Sequence, residues 1–252
     1  MAKNPRRDTK NLIISPHCDD AMLSLGSTII NKSLGSFSIV NVFTRTNYTI
    51  SGNNHIDFVT KLRKEEEYSV MSKLNIEVDF LDFDDACIRQ PYSNHIDSYL
   101  EQHIDPYSDL SFFRVRRTIR KVLEKFISCL IFFPLAIGNH IDHRICYLIA
   151  VELLKQRMPI FFYEDIPYSS SLNDHELKRM ISQLEIDFED IVIKSDDCTK
   201  KLAMLKLYHS QIDNEIERRI LEAFNIHQGE RIWSTSDNLK LLNIQQCWVE
   251  NE

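Results

Sequence analysis

Two short turns in this 252-residue chain gather side chains that bind metals or move protons. The first is Ser15-Pro16-His17-Cys18-Asp19-Asp20, and the second is Gly138-Asn139-His140-Ile141-Asp142-His143. His17 and Asp20 are three residues apart where the chain turns into a helix, so their side chains can converge on one point while Asp19 projects elsewhere. His140 and His143 share that spacing, and either or both can face the same point. Two imidazoles and one carboxylate suffice for a catalytic zinc centre, which takes three protein ligands and leaves a position open for water. A carboxylate outside the ligand set is then placed to act as a base. For Asp19 or Asp20 alone the ordinary role is a helix cap, a side-chain oxygen accepting orphan backbone N–H groups. The coincidence of such residues in two turns favours the metal site.

The hydropathy pattern says what must position these turns. Strand-like runs cover Asn11 to Ile14, Ser38 to Phe43, Glu77 to Phe83, Cys129 to Leu135 and Ile160 to Tyr163. Between them, Met22, Leu23, Leu25, Ile29 and Ile30 have helical spacing, and Phe58, Leu62, Tyr68, Met71 and Leu74 mark the apolar side of a second helix. Further helices are expected over Leu110 to Ile127, Ile141 to Leu154, Asn173 to Leu184, Thr199 to Gln211 and Asn214 to Phe224, with a long loop over Asp84 to Ser108. Alternation of this kind predicts an α/β fold, a Rossmann-like three-layer sandwich with a mostly parallel sheet. Ligands of such sheets sit beyond the carboxyl ends of the strands, and both turns follow a strand. The stripe Phe132, Phe133, Phe161 and Phe162 reads as core.

Composition narrows the partners. Thirty Lys plus Arg against thirty-seven Asp plus Glu gives a net charge of -7, which disfavours nucleic acid. Five glycines leave no room for a Gly-rich dinucleotide or phosphate loop. The six cysteines form no Cys-x-x-Cys pair and read as reduced thiols of a cytoplasmic protein. The most apolar stretch, Cys129 to Ile137, is far shorter than the roughly twenty residues of a membrane span. With no linker in sight, one domain over residues 1–252 is expected, residues 1–10 forming a flexible tail; no oligomeric state is read from the sequence.

The segment Ser15 to Ile29 resembles the His-Pro-Asp-Asp-Glu signature of the PIG-L/LmbE-like N-deacetylases, and His140-Ile141-Asp142-His143 is similar to their His-x-Asp-His motif. Arg63-x-x-Glu66, Tyr163-Glu164-Asp165 and Tyr208-x-Ser210-Gln211 resemble family members too, so the likeness spans most of residues 10 to 215. The resemblance implies that His17, Asp20 and His143 are the metal ligands and Asp19 the general base. It implies that His140 is the electrophilic or acid partner, with Asp142 orienting it and keeping it charged. Cys18 replaces the family's Pro and Ala21 its Glu, neither of which supplies a ligand. The implied enzyme is a hydrolase using Zn²⁺, or another divalent ion such as Fe²⁺, to remove acetyl from an N-acetylated amino sugar or glycoconjugate by attack of a metal-bound water.

Substrate contacts are expected from Arg45 after the second strand, from Asp84 in the acidic group Asp82, Asp84 and Asp85 after the third, and from Asp165 after the fifth. Arg63 and Glu66 share a helix face and read as a surface ion pair. The competing readings are a non-catalytic carbohydrate- or metabolite-binding module, and an amide or ester hydrolase acting on a different acyl group.

Overall fold

The computed structural model describes residues 10–50, 52, 54–89, 92, 104–126, 129–182 and 186–249. The expected amino-terminal tail, Lys10 apart, lies outside them. Seven strands form one sheet: β1 (Asn11–Ser15), β2 (Phe37–Asn41), β3 (Glu77–Phe80), β4 (Ile131–Pro134), β5 (Ile160–Tyr163), β6 (Glu189–Lys194) and β7 (Gly229–Ser234). The helices are α1 (Asp20–Asn31), α2 (Ile56–Lys73), α3 (Phe112–Leu123), α4 (Ile141–Lys155), α5 (Asp174–Ile181), α6 (Thr199–Leu205), α7 (Asn214–His227) and α8 (Ser236–Val249).

The strand order is β3-β2-β1-β4-β5-β7-β6. β1 to β5 pair in parallel, whereas β7 runs antiparallel to both β5 and β6. Alternate residues of the buried strands feed two cores, as the two-residue period of a strand requires. Leu12, Ile14, Phe133 and Phe162 pack against Phe112, Val115 and Ile119 of α3 and Ile145 and Ile149 of α4. Ile13, Phe132 and Phe161 face the other way, towards Met22 and Leu25 of α1, Val70 of α2, Leu205 of α6 and Ile220 of α7. Three layers follow, and the chain winds away in opposite directions from β1 and β4, which opens a crevice at their carboxyl ends.

Among the described residues, β6, β7, α8 and the buried face of α2 depart from the sequence-based expectation. The pair β6 and β7 was not anticipated, because β7 buries Glu230 and Arg231 among its apolar residues and so lacks a readable pattern. In α2 the buried face is Val59, Arg63, Glu66, Glu67, Val70 and Met71, while Phe58 and Tyr68 are exposed. Three charged residues occupy the inner stripe, so of the expected apolar markers Met71 alone is buried, Leu62 and Leu74 are half-buried, and Phe58 and Tyr68 face out.

Candidate active site

β1 delivers the first turn into the crevice. Pro16 accepts the Phe43 N–H at 2.8 Å, and the Ser15 hydroxyl donates to the His17 carbonyl at 2.7 Å. Asp19 then takes φ = 103°, a conformation costly for a non-glycine residue and one that persists only when neighbours hold it. Here the Asp19 N–H donates to Glu67 at 3.2 Å, and Arg63 donates to the Cys18 carbonyl at 2.9 Å. Asp19 occupies the N-cap position of α1 yet makes no capping hydrogen bond with its side chain. β4 delivers the second turn, in which His140 caps α4 and places His143 three residues on, within its first turn.

The two turns meet. His17 Nδ1 and His143 Nε2 each lie 3.3 Å from the same Asp20 oxygen, Oδ2, and all three residues are buried. Metal–ligand bonds of about 2.0–2.2 Å in a tetrahedron put ligand atoms roughly 3.3 Å apart, so this spacing suits a zinc-sized ion. The outer nitrogens are held by carboxylates: His17 Nε2 by Asp142 at 3.1 Å and His143 Nδ1 by Asp165 at 2.6 Å. Such outer partners keep the proton on the far nitrogen and turn the inner lone pair towards a metal. His17, Asp85, His140 and Asp142 form a second acidic grouping on the other side of His17. There Asp142 is already engaged by Arg89 and by the Ala86 N–H at 2.9 Å, which makes that grouping a support for His17.

The electrostatics agree with a cation-seeking centre. Against the cost of burial, neighbouring carboxylates raise His17, through Asp85, Asp142 and Asp20, and lift His143 to about 9 through Asp20 and Asp165. Burial, opposed by Arg63 3.3 Å away, pushes the Asp19 carboxyl up to about 7. Burial and the neighbouring His17 push His140 down to about 3.

Several expected roles are relocated. The hydrogen bonds of the Asp142 carboxylate go to His17, Arg89 and Ala86, while His140 Nδ1 accepts the Asp142 backbone N–H at 3.3 Å; His140 is therefore a neutral imidazole and not one kept charged. Asp165 is buried, its oxygens committed to His143 and to the Ile137 N–H at 2.8 Å, which leaves it no substrate contact. Arg45 and Asp84 pair with each other, both over 40% exposed, at 45% and 43%, and neither lines the cavity above His17. Arg63 and Glu66 are buried: Arg63 serves Asp19, and Glu66 accepts from the Ser210 N–H at 2.9 Å and its hydroxyl at 2.5 Å. Cys18 is a buried thiol, as expected. Arg89 and Tyr168 gave no signal in the sequence. Glu67 gave none either, and Arg63 reads as half of a surface ion pair, because the inner stripe of α2 is charged.

A cavity of about 340 Å³ opens over the centre, lined by His17, Asp19, Asp20, His140, Tyr48 and Tyr168 among others. Ligand cavities begin at about 300 Å³, so this one suits a single sugar ring.

The family described as PIG-L, GlcNAc-PI de-N-acetylase, matches residues 12–154, a span that includes both turns. No curated relative matches the sequence. Among solved structures, a deacetylase of the teicoplanin biosynthesis pathway is similar with a TM-score of 0.70 at 22% identity, covering 89% of this chain and 97% of that one. A zinc-inhibited form of teicoplanin deacetylase gives a TM-score of 0.68 at 22% identity, with 89% and 97% covered. The N,N'-diacetylchitobiose deacetylase from Pyrococcus horikoshii gives 0.54 at 18%, with 88% and 79% covered. At these identities the likeness establishes a shared fold.

Proposed function

Because the chain belongs to the PIG-L family, we propose that it is a metal-dependent N-deacetylase, removing acetyl from an N-acetylated amino sugar or glycoconjugate. The observation that carries this reading is the convergence of His17 Nδ1 and His143 Nε2 on one Asp20 oxygen, with a spare carboxylate, Asp19, beside them at the floor of a sugar-sized cavity. His17, Asp20 and His143 would hold the ion. When bound, a divalent ion supplies Lewis-acid polarisation of the amide oxygen and lowers the pKa of water.

The chain's own groups do the rest. Asp19, not spent on capping, takes the proton of the attacking water, and Arg63 keeps its carboxylate from turning away. His140 accepts at Nδ1, so its proton sits on Nε2, from which it donates to the oxyanion of the tetrahedral intermediate. Asp142 and Asp165 fix the tautomers of His17 and His143. Acetate and a free amine leave.

Zinc suits two imidazoles and a carboxylate, and so do other divalent ions, Fe²⁺ included. A neighbour of the same fold is described in a zinc-inhibited form, so metals should be compared at one equivalent. Five buried free cysteines support a reducing, cytoplasmic setting. Among the described residues no helix is long and apolar enough to cross a membrane. The test is to count the metal of the purified protein and to measure acetate release from N-acetylglucosaminyl compounds. Release that follows one bound ion supports the reading; a metal-free protein that binds sugar without turnover favours the binding module instead.

A further inference from the structure

Tyr168 follows β5 in the 3-10 turn Tyr168–Ser171, and its ring is clamped on two sides. A Cβ on Gly138 would lie 2.6 Å from that ring, and Gly138 has φ = 89°, so glycine alone satisfies both the backbone and the ring. On another side the ring meets His143 in a T-shaped contact, centroids 5.9 Å apart at 89°. The clamp accounts for an aromatic ring at this position, and phenylalanine would fill it equally well. The hydroxyl is what packing does not need.

That hydroxyl makes no hydrogen bond among the described residues, and Tyr168 lines the cavity together with His17, Asp19, Asp20 and His140. Burial first, and then the carboxylates of Asp20, Asp19 and Asp165, hold the phenol in its protonated, donating form. With its ring against His143 and in the cavity wall, Tyr168 borders the space above the point on which His17, Asp20 and His143 converge, a point that a scissile amide oxygen must approach. A phenol can donate to that oxygen, which the surrounding carboxylates cannot.

Building on the deacetylase reading above, we propose that Tyr168 is a further catalytic residue, its phenol donating a hydrogen bond to the acyl oxygen of the substrate as that oxygen gains negative charge. A donor held in place before the reaction needs no reorganisation when charge develops, which is where such groups lower barriers most. Gly138 and His143 provide that holding, and Tyr168 shares the oxyanion with His140.

Tyr168→Phe removes the hydroxyl and keeps the ring, so fold and metal stoichiometry should be those of the wild type. The expected result is a kcat lower by about tenfold to a hundredfold. KM should change by less than about threefold, the pattern of an interaction made only in the transition state. Affinity for the methylphosphonamide of glucosamine, a tetrahedral mimic, should fall by the same factor as kcat. An unchanged kcat with unchanged mimic affinity overturns the proposal, as does a loss confined to KM. Acetate release by the wild type tests the deacetylase reading by itself. Should the wild type release none, mimic binding decides: weaker in Tyr168→Phe supports the donor, whereas equal affinity, or none in either protein, overturns it.

Discussion

Charge is buried in two regions of this molecule and balanced differently in each. Around β7, Glu230 accepts the Ser27 and Thr28 N–H groups at 2.8 Å each, where α1 departs from helical geometry at Leu25, and pairs with Lys201 at 2.7 Å. Nearby, Glu164 pairs with Arg231 and accepts from the Trp233 indole at 2.8 Å. Each of these carboxylates is paired with a fixed cation, Arg231 serving Asp174 and Asp190 as well. At the carboxyl ends of β1 and β4, by contrast, Asp19, Asp20, Asp85, Asp142 and Asp165 share one network whose fixed cations are Arg63 and Arg89, the latter also serving Asp109. Buried charge is tolerated when it is paired or coordinates a metal. One region is closed in itself; in the other, five carboxylates face two fixed arginines, an excess of negative charge that a divalent ion would reduce.

The largest effect belongs to the open region. His143→Ala should lose bound metal and all measurable acetate release, and Asp20→Asn, nearly isosteric, should do the same. His140→Ala should keep its metal, since His140 Nδ1 is engaged by the Asp142 N–H and the role proposed for it lies with the oxyanion. Its kcat should fall by about a hundred- to a thousandfold. Equal metal loss in His140→Ala and His143→Ala, counted by elemental analysis, would show that the division of roles is wrong. Asp19→Asn should likewise retain metal and lose about 10²- to 10⁴-fold in kcat, as removal of a general base does. Full activity in that variant would remove Asp19 from the mechanism.

Much of the open region was legible in the sequence, and little of the closed one was. Spacing lets His17 and Asp20 converge and leaves His140 and His143 both open, because a turn and a helix start constrain where side chains three apart can point; the choice of His143 comes from the family resemblance. Parallel topology then brings the ends of β1 and β4 together. The direction of a carboxylate is not written in spacing: Asp142 lies next to His143 and two residues from His140 yet bonds His17, 125 residues away. Arg63 looks like any surface arginine until α2 is seen to bury a polar stripe. Glu230 and Arg231 hid β7 because each is buried only by virtue of a partner elsewhere in the chain. Local pattern carries apolar burial well and paired-charge burial poorly.

The closed region should respond in stability and not in chemistry. Lys201→Met leaves Glu230 buried without its cation, a loss of about 3–5 kcal/mol. At roughly 2–4 °C per kcal/mol for a chain of this size, Tm should fall by about 10 °C. Metal content and kcat should stay at wild-type values. Divalent metal should raise Tm in the wild type and in Lys201→Met by the same increment, because binding to the native state alone adds stability whatever a distant pair contributes. In Asp20→Asn it should raise Tm not at all. A Lys201→Met protein that loses its metal would mean that the two regions are coupled through α1, and the contrast between them would fail.

The smallest effect is expected where charge is not buried. Arg45 and Asp84 are the same residue types as Arg63 and Asp19 and sit on the same edge of the sheet, but they are half in water and outside the cavity lining. An exposed pair gains little over its hydrated ions, so Arg45→Ala should cost at most about 1 kcal/mol by chemical denaturation. Added salt should shrink even that, because exposed charges are screened and buried ones are not. KM for an N-acetylglucosaminyl substrate should stay within about twofold of wild type, since no uniform binding energy is removed. A rise of about tenfold with kcat unchanged would instead put Arg45 on the substrate. The cavity wall would then extend past α2, and burial would no longer be what separates working charges from solvated ones in this protein.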